Sequence, residues 1–175
     1  PDEHGYFGLG TNAYYTATFI GNVPYFLAVT PDMPFTYGGN MIHHSQVAGW
    51  IQTDAPFPEH IHRDPSPTDQ AIAALVAERI ADGSCIQVGI GSVPDALLGS
   101  LHGHHDLGIH TEVMADGLMK LVESGAATGT RKHHHRNKHV ATFAIGSPEL
   151  LRWLHRNAAV GMSAVDWVND PRIIA

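Results

Sequence analysis

A single cysteine, Cys85, stands in 175 residues. It excludes an internal disulfide and fits a reducing, cytoplasmic setting. Charge is scarce as well: Asp, Glu, Lys and Arg make up 15% of the chain and leave a formal net charge of −7 with histidine neutral. That balance argues against a general nucleic-acid binder. No run approaches the roughly 18 uninterrupted apolar residues of a membrane span, and no signal-peptide pattern opens the chain. A Gly-x-Ser-x-Gly elbow, the mark of a serine hydrolase, is missing. There is no initiating methionine: the sequence begins at Pro1 in a glycine-bearing, turn-like run and stops at Ile173-Ile174-Ala175, just after Asn169-Asp170-Pro171, where a strand is expected to start. We read this as an internal piece of a longer polypeptide.

What is abundant is histidine. Fourteen of them make the net charge strongly pH-dependent between about pH 5 and 8. Hydrophobic residues, at 43%, suffice for one good core or two small ones.

The pattern along the chain changes near its first third. Residues 11–20 carry helix-compatible spacing stopped by Gly21-Asn22, residues 25–29 form an apolar run after Pro24, and a strand is expected over 47–51. Pro56, Pro58, Pro65 and Pro67 mark a linker, predicted to be an extended connection between separately packed lobes. Beyond it, Ser66 or Thr68 can cap a helix with Ile72, Leu75, Val76 and Ile80 on one face, Asp69 near its start and Gly83 as its stop. Strands at 85–90, 107–112, 139–145 and near 159–163 then alternate with helices at 94–101, 116–124 and 147–156. This alternation predicts an α/β fold with a mostly parallel sheet flanked by helices.

Residues 85–117 hold the chemistry. An apolar strand runs into Gly89-Ile90-Gly91-Ser92-Val93-Pro94, and a second strand turns polar at His110-Thr111-Glu112. In open α/β sheets ligands collect where strands end and helices begin. The glycine turn needs Gly for backbone freedom alone, or it presents free N–H groups at a helix start to an anion or oxyanion. A dinucleotide fingerprint would want a third glycine where Pro94 stands, although Glu112, about 20 residues on, sits where a ribose-binding acid would. Glu112 is either an exposed carboxylate at a strand terminus or a general base or nucleophile with an oxyanion stabiliser nearby. Asp116 reads as the cap of the following helix.

Other candidates carry less. Cys85 reads as a small buried apolar residue rather than a nucleophile. His133, His134, His135 and His139, set among Arg131, Lys132, Arg136 and Lys138, read as a solvated basic loop, with transition-metal or polyphosphate binding as the alternatives. The pairs His43/His44 and His60/His62 and the group His102/His104/His105 have no partner chemistry in sequence; only His110, by virtue of Glu112, does.

Seven ordered motifs then resemble one family. They are Asp2-Glu-His-Gly-Tyr-Phe, Met33-Pro-Phe-Thr-Tyr-Gly, Ile42-His-His-Ser-Gln, Gln87-Val-Gly-Ile-Gly-Ser-Val-Pro, Leu107-Gly-Ile-His-Thr-Glu, Val140-Ala-Thr-Phe-Ala-Ile-Gly-Ser and Val168-Asn-Asp-Pro. Together they resemble the acetyl-CoA hydrolase/transferase family, in particular its 4-hydroxybutyrate and butyrate:acetate CoA-transferase branch. The resemblance implies a class I CoA-transferase-like fold of two similar open α/β domains, with residues 1–64 ending the first and residues 65–175 starting the second. It implies Glu112 as catalytic nucleophile, Gly89, Ile90 and Gly91 binding the thioester oxygen, and Gln87, His110 and Thr111 in support. It also implies acyl-CoA and a short-chain carboxylate as substrates, coenzyme A as substrate with no resident cofactor and no metal, and a homodimer in the full-length protein. A CoA-transferase, an acyl-CoA hydrolase and a non-catalytic nucleotide- or metal-binding module are the three readings carried forward.

Overall fold

The computed structural model describes residues 1–55 and 64–174. Most of the expected linker, residues 56–63, lies outside the described residues. The N-terminal third contributes four short strands: β1 (Tyr6–Gly8), β2 (Tyr25–Val29), β3 (Met41–His43) and β4 (Val47–Gln52). β1 pairs antiparallel with β3, and β2 pairs parallel with β4, each as a separate two-stranded sheet. Then follow α1 (Pro67–Ala77), β5 (Cys85–Ile86), α2 (Ser92–Ser100), β6 (Gly108–Met114), α3 (Asp116–Glu123), β7 (His139–Ala144), α4 (Pro148–Leu154), β8 (Val160–Met162), α5 (Val165–Val168) and α6 (Pro171–Ile174). Strands β5, β6, β7 and β8 form a four-stranded, all-parallel sheet in that spatial order. Among the described residues no helix is long and apolar enough to cross a membrane.

Local signals set the helix starts. Ser66 caps α1 reciprocally with Asp69: the Asp69 N–H donates to Ser66 Oγ at 3.2 Å and the Ser66 N–H to the Asp69 carboxylate at 2.8 Å. Ser147 caps α4 through the Leu150 N–H. The core lies between the sheet and helices α2 to α4, built from Leu98, Leu101, Ile109, Leu118, Leu121, Leu150 and Leu154 among others.

Several elements depart from the sequence expectation, each for a tertiary reason. Residues 11–20 do not form an α-helix; only Thr16–Phe19 make one 3-10 turn. The preceding residues are claimed by β7 instead. β8 pairs only with residues 139–141, and past it the β7 edge is taken by the N-terminal segment. There the Ala13 and Tyr14 N–H groups both donate to the Thr142 carbonyl, and Ala144 N–H donates to the Thr11 carbonyl. The helix α1 ends at Ala77, well before Gly83, whose positive φ of 79° serves the next turn while its N–H donates to the His105 carbonyl. Its apolar stripe is not the buried face: Ile72, Leu75 and Val76 stay exposed, while Ala73 is fully buried and Ala77 and Ile80 pack on the core. The expected strand 85–90 pairs only over Cys85–Ile86, because at Val88 a side chain replaces the ladder (below). At the other end, residues 171–174 form a helical turn started by Asp170 rather than a strand.

Candidate active site

The strand β6 runs two residues past its expected end. His110 and Thr111 look terminal in sequence because they are polar, yet they are 8% and 0% exposed, and the ladder continues with Val113 opposite Phe143 and Met114 opposite Ala144. Burial on both faces is the rule for parallel strands. Against that background one position in each central strand breaks the pattern: Glu112 is the sole residue of β6 that is not buried, and Phe143 the sole one of β7. Both line a cavity of about 370 Å³ with Thr11, Asn12, Tyr14 and Ala144.

The glycine loop is tied to the same strand. Thr111 Oγ1 donates to the Val88 carbonyl at 3.1 Å and accepts from the Val88 N–H at 3.3 Å. This fixes the residue just before Gly89 against the residue just before Glu112. Gly91 then takes φ 139° and ψ 172°, a backbone that only glycine adopts readily, and opens α2 with no side-chain cap. Among the described residues the N–H groups of Gly89, Ile90 and Gly91 have no acceptor. Ile90 is 50% exposed, so the turn is open to a ligand.

The residues expected in support divide. Thr111 is the tether. Gln87 and His110 instead line a separate cavity of about 540 Å³ with Cys85, Lys132, His133, His134, Ile173 and Ile174. His110 Nε2 is 2.8 Å from the Val168 carbonyl, which can only accept, so the ring carries its proton there. Burial pushes its pKa down, partly offset by that carbonyl and reinforced by Lys132. The ring packs against Trp167 at 5.2 Å. His110 is therefore anchored to α5, and shares with Glu112 only the face of the strand.

Three further readings are corrected. Asp116 does not cap its own helix: its carboxylate accepts from the N–H and hydroxyl of Ser147, holding the start of α4 instead. Cys85 is exposed rather than buried, with its thiol pushed up by the partial desolvation of the cavity wall and eased down by Lys132. The basic tract is not a uniformly solvated loop. Lys132 is 5% exposed, donates to the Ile109 and Lys138 carbonyls at 2.7 Å each, and is driven by burial down to about 8. His134 and His135 set their rings edge-on to Trp167. Among the described residues no three His, Cys, Asp or Glu side chains gather as metal ligands.

Two residues near Glu112 were not singled out from sequence. Thr142 is level with Glu112 across the β6–β7 ladder, fully buried, and its hydroxyl lacks a partner among the described residues. Tyr14, from the N-terminal segment, lines the same cavity as Glu112, whose charge adds to desolvation in raising the pKa of its phenol. Neither has a local sequence signal, because each is brought there by pairing with distant chain.

The unit is an open parallel α/β sheet with one unburied carboxylate on β6 and a glycine-headed helix whose turn is tied to that strand, and comparison with known proteins places it among its relatives. No protein-family profile matches the chain. Succinyl-CoA:cyclohexane-1-carboxylate CoA transferase of Geobacter metallireducens is 38% identical over 99% of this chain and 40% of its own length. The 4-hydroxybutyrate coenzyme A transferase of Clostridium kluyveri is 34% identical over 99% of this chain and 41% of its own. The crystal structure of RipA from Yersinia pestis superposes with a TM-score of 0.96 at 36% identity, covering 99% of this chain and 41% of that one. Over nearly its whole length the chain is similar to these CoA transferases, and it has their α/β fold. It spans about 40% of the length of the curated relatives it matches.

Proposed function

We propose that this chain carries the nucleophile of an enzyme that moves CoA between an acyl-CoA and a short-chain carboxylate of the 4-hydroxybutyrate, butyrate or acetate type. The observation that carries the reading is Glu112, the one unburied residue of β6, beside a glycine turn that Thr111 ties to the same strand. Glu112 attacks the thioester carbonyl, and the N–H groups of Gly89, Ile90 and Gly91 receive the oxyanion. Collapse gives an acyl-glutamyl anhydride and CoA thiolate. The thiolate then attacks the glutamyl carbonyl, forms a glutamyl-CoA thioester and releases the first acid. An acceptor carboxylate runs the same steps backwards. A carboxylate suits this task because the glutamyl thioester conserves the energy of the substrate thioester.

In the same reading, residues 1–64 end one α/β domain and residues 65–175 begin a second; the β2–β4 sheet is separate, but the two parts are not separately packed, since Asn12 bridges to Phe143, Gly38 bridges to Met162 and Ala13 joins the core of the second. Coenzyme A is a substrate, no resident cofactor is needed, the enzyme is cytoplasmic, and the assembly is a homodimer. The unpaired Cys85 agrees with the compartment.

The test is trapping in the intact gene product. Incubation with acyl-CoA and no acceptor acid should attach CoA to Glu112, and borohydride should then reduce the thioester and inactivate the enzyme. Glu112→Gln should abolish transfer, and Glu112→Asp should lose most of it, since one methylene misplaces the attacking oxygen. Near-normal transfer by Glu112→Gln would remove the nucleophile from this position. Rapid acyl-CoA hydrolysis without acceptor, and no trapped CoA, would favour a hydrolase.

A further inference from the structure

Tyr14 is held beside Glu112 at a cost in backbone conformation. Its φ is +25°, in the left-handed region that aromatic residues avoid. The surroundings enforce it from three sides. Its N–H donates to the Thr142 carbonyl at 3.0 Å, its carbonyl accepts from the Val165 N–H at 3.2 Å, and its ring stands edge-on to Tyr15 and Phe143 at 4.6 and 5.8 Å between centroids. The residue is thereby clamped between β7 and α5, and it lines the same cavity as Glu112. Desolvation first, and the Glu112 charge second, hold the phenol above its ordinary range near 10, so it remains a proton donor throughout the neutral range.

We propose that Tyr14 is a catalytic residue of the step that loads CoA onto Glu112, its hydroxyl donating a hydrogen bond to the glutamyl carbonyl oxygen of Glu112 and so directing the CoA thiolate to that carbon. This rests on Glu112 being the nucleophile. The mixed anhydride presents two carbonyl carbons to the thiolate. Attack on the acyl carbon only regenerates the starting thioester. Attack on the glutamyl carbon forms the new C–S bond and moves the carbonyl π pair onto oxygen. The resulting alkoxide then collapses, breaking the glutamyl carbon's bond to the bridging anhydride oxygen and expelling the first acid as its carboxylate. No proton changes hands; the phenol keeps its own and stabilises the alkoxide. The glycine-loop N–H groups serve the acyl oxygen and Tyr14 serves the glutamyl one, so the two donors divide the anhydride between its two fates.

Tyr14→Phe in the intact gene product isolates the hydroxyl, because the ring and its contacts with Tyr15 and Phe143 stay. With acyl-CoA labelled separately in its acyl and CoA parts, rapid acid quench reads which part is bound to protein. We expect the thermal midpoint to hold within about 2 °C, KM for acyl-CoA to hold within about threefold, and the single-turnover rate of CoA attachment to fall by about 100-fold, the usual loss for one oxyanion donor. Bound label should shift from CoA towards acyl. CoA attachment by folded Tyr14→Phe within threefold of wild type, with Glu112→Gln inert, would overturn the Tyr14 role alone. CoA attachment by Glu112→Gln would overturn the nucleophile and the Tyr14 role together. Tyr15→Phe, whose ring is exposed, should leave the rate unchanged and serves as the neighbouring control.

Discussion

Thr111→Val removes the tether of the glycine loop without changing the shape of the core. Thr111 is fully buried, and its single hydroxyl satisfies both the N–H and the carbonyl of Val88, itself 7% exposed. Valine keeps the packing but supplies neither partner. Each net hydrogen bond is worth about 1 kcal/mol, and a buried group left unpaired costs about 1–3 kcal/mol. The exposed turn that follows can relax towards water, which keeps the total near the lower end, about 2 kcal/mol. At about 1.4 kcal/mol per decade, local opening at Val88 should become roughly 30-fold more frequent. Hydrogen exchange of the Val88 amide, read by mass spectrometry on the intact gene product, measures this directly. The looser turn no longer holds its N–H groups in fixed relation to Glu112, so transfer should fall at least tenfold with little change in global stability beyond the local term. Thr111→Ser keeps the hydroxyl and loses one methyl, worth about 0.8 kcal/mol, and should retain both protection and most activity. Val88 exchange in Thr111→Val within threefold of wild type would show that the hydroxyl does not hold the loop.

His139 is 3% exposed and held by burial, with Lys132 adding to the effect, at about 4 against an ordinary 6.5. Between those pH values the unfolded chain binds a proton that the folded chain refuses. The His139 contribution to stability should therefore be complete above about pH 6.5 and be lost, by roughly 3 kcal/mol, as pH falls to about 4. In urea titrations His139→Leu should lose this part of the slope and keep a smaller one from His110; superimposable profiles would refute the assignment. In the glycine turn, Gly91→Ala should lower stability by about 1–3 kcal/mol through backbone strain, because an added Cβ meets only Pro94 Cδ at 3.7 Å. Gly89→Ala, with ordinary φ and nothing within 4 Å, should stay within about 0.5 kcal/mol. The reverse order in thermal melts would count against the geometry of this turn.

Sequence alone determined whatever depends on near neighbours. The Ser66–Asp69 capping box, the start of α4 at Ser147, the glycine needed at position 91 and the alternation of strands with helices all rest on contacts within a few residues or on hydrophobic period, and both survive in a one-dimensional reading. Glu112 stood out because an apolar run turns polar at His110-Thr111-Glu112, a change that is visible in the sequence. Tertiary structure decided the rest. His110 and Thr111 look like a strand end but are buried, since the Val168 carbonyl and the Val88 backbone satisfy them from elsewhere in the chain. Ile72, Leu75 and Val76 look like a core face and are not, since α1 meets the core through its small residues. Lys132 looks solvated in its basic tract, yet two backbone carbonyls draw it inside. Tyr14 looks like part of a helix and instead lines the cavity of Glu112, because β8 is too short to cover β7 and the open edge takes the N-terminal segment in its place. A vacant sheet edge is a property of the assembled sheet, so no periodicity or local propensity in residues 11–20 could announce it.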